Sequence, residues 1–141
     1  MELVAPAGKV YQAGTLSGNP VAMAAGLTQL KYLYDHQDIY KSLEEKGELL
    51  YGGMEKIAEE KGLPVHMNHI SSLGSLFFTD QPVVDYVSAK TSDTKAFARY
   101  FKGMLKMGIH MAPSQFEAMF LSMAHTEEII METLDAVKLV L

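Results

Sequence analysis

Apolar residues between Val21 and Tyr34 fall on most of a helical circumference (Val21, Met23, Ala24, Ala25, Leu27, Leu30, Leu33), which predicts a helix with neighbours on more than one side. Its small residues Ala22, Ala24, Ala25 and Gly26 permit close backbone approach. Asn19-Pro20 supplies the start, because asparagine accepts from free first-turn N–H groups and proline fits the first helical position. A second helix is predicted from Asp38 to Lys61, with Ile39, Leu43, Leu50, Met54, Ile57 and Ala58 at helical spacing, weakened locally by Gly47, Gly52 and Gly53. Gly62-Leu63-Pro64 ends it. Val65–Ile70 and Ser75–Thr79 then read as two strands of a hairpin, joined through Ser71, Ser72 and Gly74.

Asp80 to Ser92 has no clean period. Thr94 to Met107 is amphipathic through Phe97, Phe101, Met104 and Leu105, with Asp93 as its cap and Gly108 as its close. Ile109–Ala112 and Met119–Ser122 are predicted as further strands around Pro113. Thr126 caps a last helix, Glu127 and Glu128 suit its first turn, and Leu134, Val137 and Leu141 form its buried stripe. The predicted fold class is α/β, of the α+β small-domain type, with helices packed on one face of a small, mostly antiparallel sheet.

Composition narrows the function classes. With 141 residues, 48% hydrophobic and 21% charged, the chain can bury one sizeable core. The net charge of −5 and the lack of a basic run interleaved with aromatics argue against nucleic acid as a partner. No cysteine is present, which excludes disulfides and thiolate metal sites and suits a reducing compartment, so the expected location is cytoplasmic. No basic-then-apolar leader stands at Met1–Pro6 and no apolar run is long enough for a membrane span, so no membrane association is expected. Ten methionines are many for this length, and several (Met104, Met107, Met111, Met119, Met123) crowd the final third, where thioethers fill irregular contacts and some are expected to face a partner surface.

Candidate chemistry is sparse. His66 and His69, three apart in a strand, point to opposite faces and lack a companion carboxylate, so no metal site is expected. There is no serine elbow, phosphate-binding Walker loop or dinucleotide fingerprint. Tyr11-Gln12-Ala13-Gly14-Thr15-Leu16-Ser17-Gly18-Asn19-Pro20 differs, because glycines, hydroxyls and a capped helix start together suit an anion. An ordinary loop with an N-cap satisfies the same residues.

Val4-Ala5-Pro6-Ala7-Gly8, the run Gly14 to Pro20, and Ala22-Met23-Ala24-Ala25-Gly26 resemble the stretch following the cofactor lysine in the glutamate-1-semialdehyde aminomutase family, a branch of the class III pyridoxal-phosphate aminotransferases. Ala112-Pro113-Ser114-Gln115-Phe116-Glu117-Ala118, continuing to Phe120-Leu121-Ser122 and Ala124-His125-Thr126-Glu127-Glu128, is similar to a segment more particular to that branch. Phe77-Phe78-Thr79-Asp80 and Val83, Asp85 and Tyr86 agree with it, so the resemblance runs in order along essentially the whole chain.

The resemblance implies the C-terminal part of a type I pyridoxal-phosphate fold, in a homodimeric isomerase that turns glutamate-1-semialdehyde into 5-aminolevulinate for tetrapyrrole (porphyrin) biosynthesis. Residues 1–18 would then be the cofactor-phosphate loop and tail of a large domain, and 19–141 a C-terminal small domain with its leading helix. The resemblance places Thr15 on the phosphate of pyridoxal 5′-phosphate in the neighbouring subunit, with Gly14 letting the backbone approach. It places Tyr11 near the cofactor, although an aromatic there also serves as packing, and Glu117 near the active site, where a carboxylate tunes substrate or intermediate charge, a surface acid in a loop being the alternative. The family's Schiff-base lysine is expected before the point where this chain begins, and none of the eleven lysines here occupies its motif. The chain by itself is therefore expected to be inactive. A different class III ω-aminotransferase and a non-catalytic assembly module are the alternatives.

Overall fold

The computed structural model describes residues 1–141 and forms two compact units, Met1–Gln37 and Asp38–Leu141. In the first, residues 1–19 are loop and turn, with a single bridge between Val4 and Val10, followed by helix α1, Pro20–Asp35. Asn19 caps α1 as its sequence predicts: the side-chain oxygen accepts from the N–H groups of Val21 and Ala22, and Pro20 opens the helix. None of the residues of α1 is buried, so the neighbours expected around its apolar circumference are not supplied.

The second unit begins with α2, Asp38–Gly47, a π-helical turn at Glu48–Gly52, and α3, Gly53–Glu60. The predicted single helix is thus continuous in path but widened in the middle, where Gly47, Gly52 and Gly53 weaken the ordinary ladder. The widened turn carries Tyr51 into the core with no exposed surface. Gly47 is required by close approach: a Cβ there would stand 1.8 Å from the Ser71 carbonyl oxygen.

Strands β1, His66–Ile70, and β2, Leu73–Phe77, form the expected antiparallel hairpin, with Met67 opposite Leu76 and His69 opposite Gly74. Gly74 lies within β2, not in the turn; Ser71 takes the positive φ of 49° instead. The sheet is completed by β3, Met119–Phe120, in the order β1-β2-β3. Ile109–Ala112, predicted as a strand, forms none, and Met119–Ser122 shortens to two residues. Pro113 lacks a ladder donor, and the chain turns at Ser114–Glu117 before it reaches β2. A four-residue helix missed by periodicity, α4 at Tyr86–Ala89, is made by a reciprocal cap between Asp85 and Ser88.

Helix α5, Thr94–Lys106, starts at the Asp93 cap, and α6, Glu127–Val140, starts at Thr126. The core joins Leu50, Tyr51 and Met54, Met67 and Leu76 of the hairpin, Tyr100 and Met104 of α5, and Ile130, Leu134 and Val137 of α6. These helices cover one face of the sheet, as the pattern requires. Leu141, expected in the α6 stripe, stands beyond the helix as a half-buried cap. Phe77, one residue beyond Leu76 and so on the opposite face, forms a small second cluster with Val83 and Ala89.

Candidate functional site

Two segments carry the candidate chemistry, one in each unit. In the first, Gly14 to Asn19 forms consecutive turns, with Ser17 N–H donating to Gly14 O at 3.1 Å and Asn19 N–H to Leu16 O at 3.0 Å. Gly18 has φ +76°, a conformation that suits glycine. A Cβ at Gly14 would meet only the Ser17 side chain, its hydroxyl at 2.7 Å. Gly14, Thr15 and Tyr11 are all exposed, Tyr11 at 82%. Hydroxyls and peptide N–H groups thus gather on an open turn, the donor chemistry that a phosphate group takes. Asn19 occupies the first two N–H groups of α1, so a phosphate would be held by the turn, with Thr15 as the side-chain donor, and not by the helix end. The turn from Gly14 to Asn19 contains no lysine.

In the second unit, Glu117 closes a turn whose N–H donates to Ser114 O at 3.2 Å, while Phe116 N–H donates to Ser114 Oγ. Glu117 is exposed, but the residue two before it is not: Gln115 is only 4% exposed, and its side-chain amide donates to Leu76 O. Phe116 meets the ring of Tyr86 at 6.3 Å, and Lys90 Nζ lies 4.8 Å from that ring's centre. The flanks of the turn, Ala112–Pro113 and Ala118–Met119, help to line an open, mainly apolar cleft of about 460 Å³ with His110 and His125. His125 Nδ1 accepts from Ser122 N–H at 3.0 Å, which leaves Nε2 to carry the ring proton when the imidazole is neutral.

The structure therefore brings Tyr11, Gly14 and Thr15 together in one unit and puts Glu117 in the other. Gln115 and His125 stand in the motif by sequence, but only their burial and bonding distinguish them from its other polar residues. His66 and His69 belong to β1, with the His69 ring 5.7 Å from that of Tyr51.

No protein-family profile matches the chain. Glutamate-1-semialdehyde 2,1-aminomutase 1 of Lachnoclostridium phytofermentans is 60% identical over 135 residues, covering 96% of this chain and 32% of that protein. A β-phenylalanine aminotransferase from Variovorax paradoxus superimposes with a TM-score of 0.77 at 25% identity, over 98% of this chain and 32% of the other. A transaminase with PLP bound does so with a TM-score of 0.73 at 25% identity, over 96% of this chain and 30% of the other. The chain spans about a third of the length of the relatives that it matches. By sequence it is similar, over nearly all of its own length, to about a third of the length of glutamate-1-semialdehyde 2,1-aminomutases, and its fold is that of the C-terminal part of type I pyridoxal-phosphate-dependent transaminases.

Proposed function

We propose that this chain serves as the C-terminal portion of an aminomutase that converts glutamate-1-semialdehyde to 5-aminolevulinate in tetrapyrrole biosynthesis, in the cytoplasm and as a homodimer. The supporting observation is the 60% identity over 135 residues to an aminomutase. In this reading, residues 1–18 are the phosphate loop and tail of a large domain and 19–141 its small domain. Thr15 would hold the phosphate of pyridoxal 5′-phosphate across the dimer through its hydroxyl, Gly14 would let the backbone approach it, and Tyr11 would pack near it. When bound, that cofactor supplies an electron sink on which amino and oxo positions exchange. Glu117 contributes a carboxylate that tunes the charge of substrate or intermediate. The chain alone lacks the cofactor lysine in its motif and is inactive.

Two assays test this reading. The purified chain, given the semialdehyde and cofactor, should form no 5-aminolevulinate above a no-protein control. Joined to the remaining two thirds of the Lachnoclostridium phytofermentans aminomutase in place of the aligned segment, it should restore turnover, and Thr15→Val should then weaken cofactor retention. An inactive, correctly folded hybrid would overturn the proposal. An amino-group exchange with an ω-amino donor instead would favour a class III aminotransferase. The wholly unburied α1 favours the other alternative, an assembly module, for which the expected result is concentration-dependent sedimentation without cofactor binding.

A further inference from the structure

We propose that Gln115 is a positioning residue for Glu117: its buried side-chain amide takes the place of a backbone donor in the sheet and so releases Glu117 from the ladder. The proposal rests on the active-site reading of Glu117 for its functional meaning, but its structural part stands by itself.

The register of β2 against β3 fixes which groups face each other. Leu73 pairs with Phe120 and Gly74 with Met119, while Leu121 N–H donates to Ser72 O at 2.9 Å. Bonding groups alternate sides along a strand, so Ser72, Gly74 and Leu76 all present theirs to β3. Continued by two residues, this register would put Glu117 opposite Leu76, with its N–H on the Leu76 carbonyl. The chain does not continue: Glu117 N–H is used instead on Ser114 O, and the carboxylate-bearing residue stands exposed. A buried carbonyl left without a donor is costly, and Gln115 Nε2 supplies the missing donor to Leu76 O.

A space-filling role does not account for an amide here. Gln115 is 4% exposed and its Oε1 has no partner, so half of its bonding capacity is buried without return. An apolar side chain would fill the volume without that cost. The bond to Leu76 is what the residue adds. It holds the Ser114–Glu117 turn against β2, and the turn sets where Glu117 begins.

The test is NMR on this chain and on Gln115→Leu. In the wild type, a through-hydrogen-bond coupling from Gln115 Nε2 to the Leu76 carbonyl is expected, and its absence overturns the proposal even if the variant fails to fold. In Gln115→Leu, Glu117 N–H should transfer to the Leu76 carbonyl and its amide exchange should slow by about tenfold or more as β3 lengthens, while Tyr51, Met104 and Val137 signals stay in place. An unchanged Glu117 signal, or a loss of all core signals together, would make Gln115 an ordinary core support. In the hybrid aminomutase, turnover per cofactor-loaded site should fall about tenfold or more, a readout that unfolded molecules do not enter. Glu117→Gln separates the two readings: unaltered turnover there overturns the active-site role of Glu117, whereas the NMR result still decides the role of Gln115.

Discussion

Gly74 of β2 lies against the ring of Tyr51, so closely that a Cβ at Gly74 would stand 2.7 Å from Tyr51 Cε1. The same tyrosine donates its hydroxyl to Ser72 O at 3.0 Å and reaches Met119 O at 3.3 Å, tying the hairpin to β3. Because Tyr51 is fully buried, its ring has no free direction in which to retreat. Gly74→Ala should therefore destabilise the chain by about 1–3 kcal/mol, the range of an overpacked core. Denaturant unfolding followed by circular dichroism measures it, and wild-type stability would show that the ring can move.

The opposite sign is expected at Tyr100. Its ring packs 5.7 Å from Phe78, but its buried hydroxyl has no hydrogen-bond partner. Tyr100→Phe keeps the ring and removes the orphaned group, and should stabilise by about 1 kcal/mol. A lowered melting temperature would reveal a donor or acceptor that the hydroxyl uses.

Acid stability should depend on Asp93. Donation from Ala96 N–H, with Lys95 N–H and the charges of Arg99 and Lys95, holds this carboxyl below the ordinary range. A depressed folded-state pKa contributes stability above the unfolded value, near 4, and loses it as pH falls through the folded value. Asp93→Asn keeps a capping oxygen but removes the titration. Its melting temperature should fall less than that of the wild type between about pH 5 and about pH 2; identical slopes would remove Asp93 from the acid response.

Alkaline conditions should act through burial. Burial pushes the Tyr51 phenol up to about 12 and also raises that of Tyr100. A raised folded-state pKa means that stability is intact below the unfolded value, near 10, and declines as pH rises through the folded value. At about pH 11, both phenols should stay protonated while the fold persists, and their absorbance change should coincide with loss of the helical signal. Ionisation of all seven tyrosines before unfolding would contradict the buried placement.

The sequence by itself determined the elements whose causes are local. Asn19-Pro20, Asp93 and Thr126 start three helices because a side chain reaches donors two or three residues ahead, and the short run of turn residues at Ser71 and Ser72 between two strand segments sets a hairpin. The resemblance carried by residues 112–128 is likewise legible in linear order. Tertiary structure decided what depends on groups far apart in the chain. The Tyr51 turn widens where it does because Gly47 must admit the Ser71 carbonyl and Tyr51 must cover Gly74. Strand β3 begins no earlier than Met119 because Gln115, 39 residues from Leu76, meets the carbonyl that Glu117 would otherwise take. No periodicity encodes that choice, since it is settled by which donor reaches one buried oxygen.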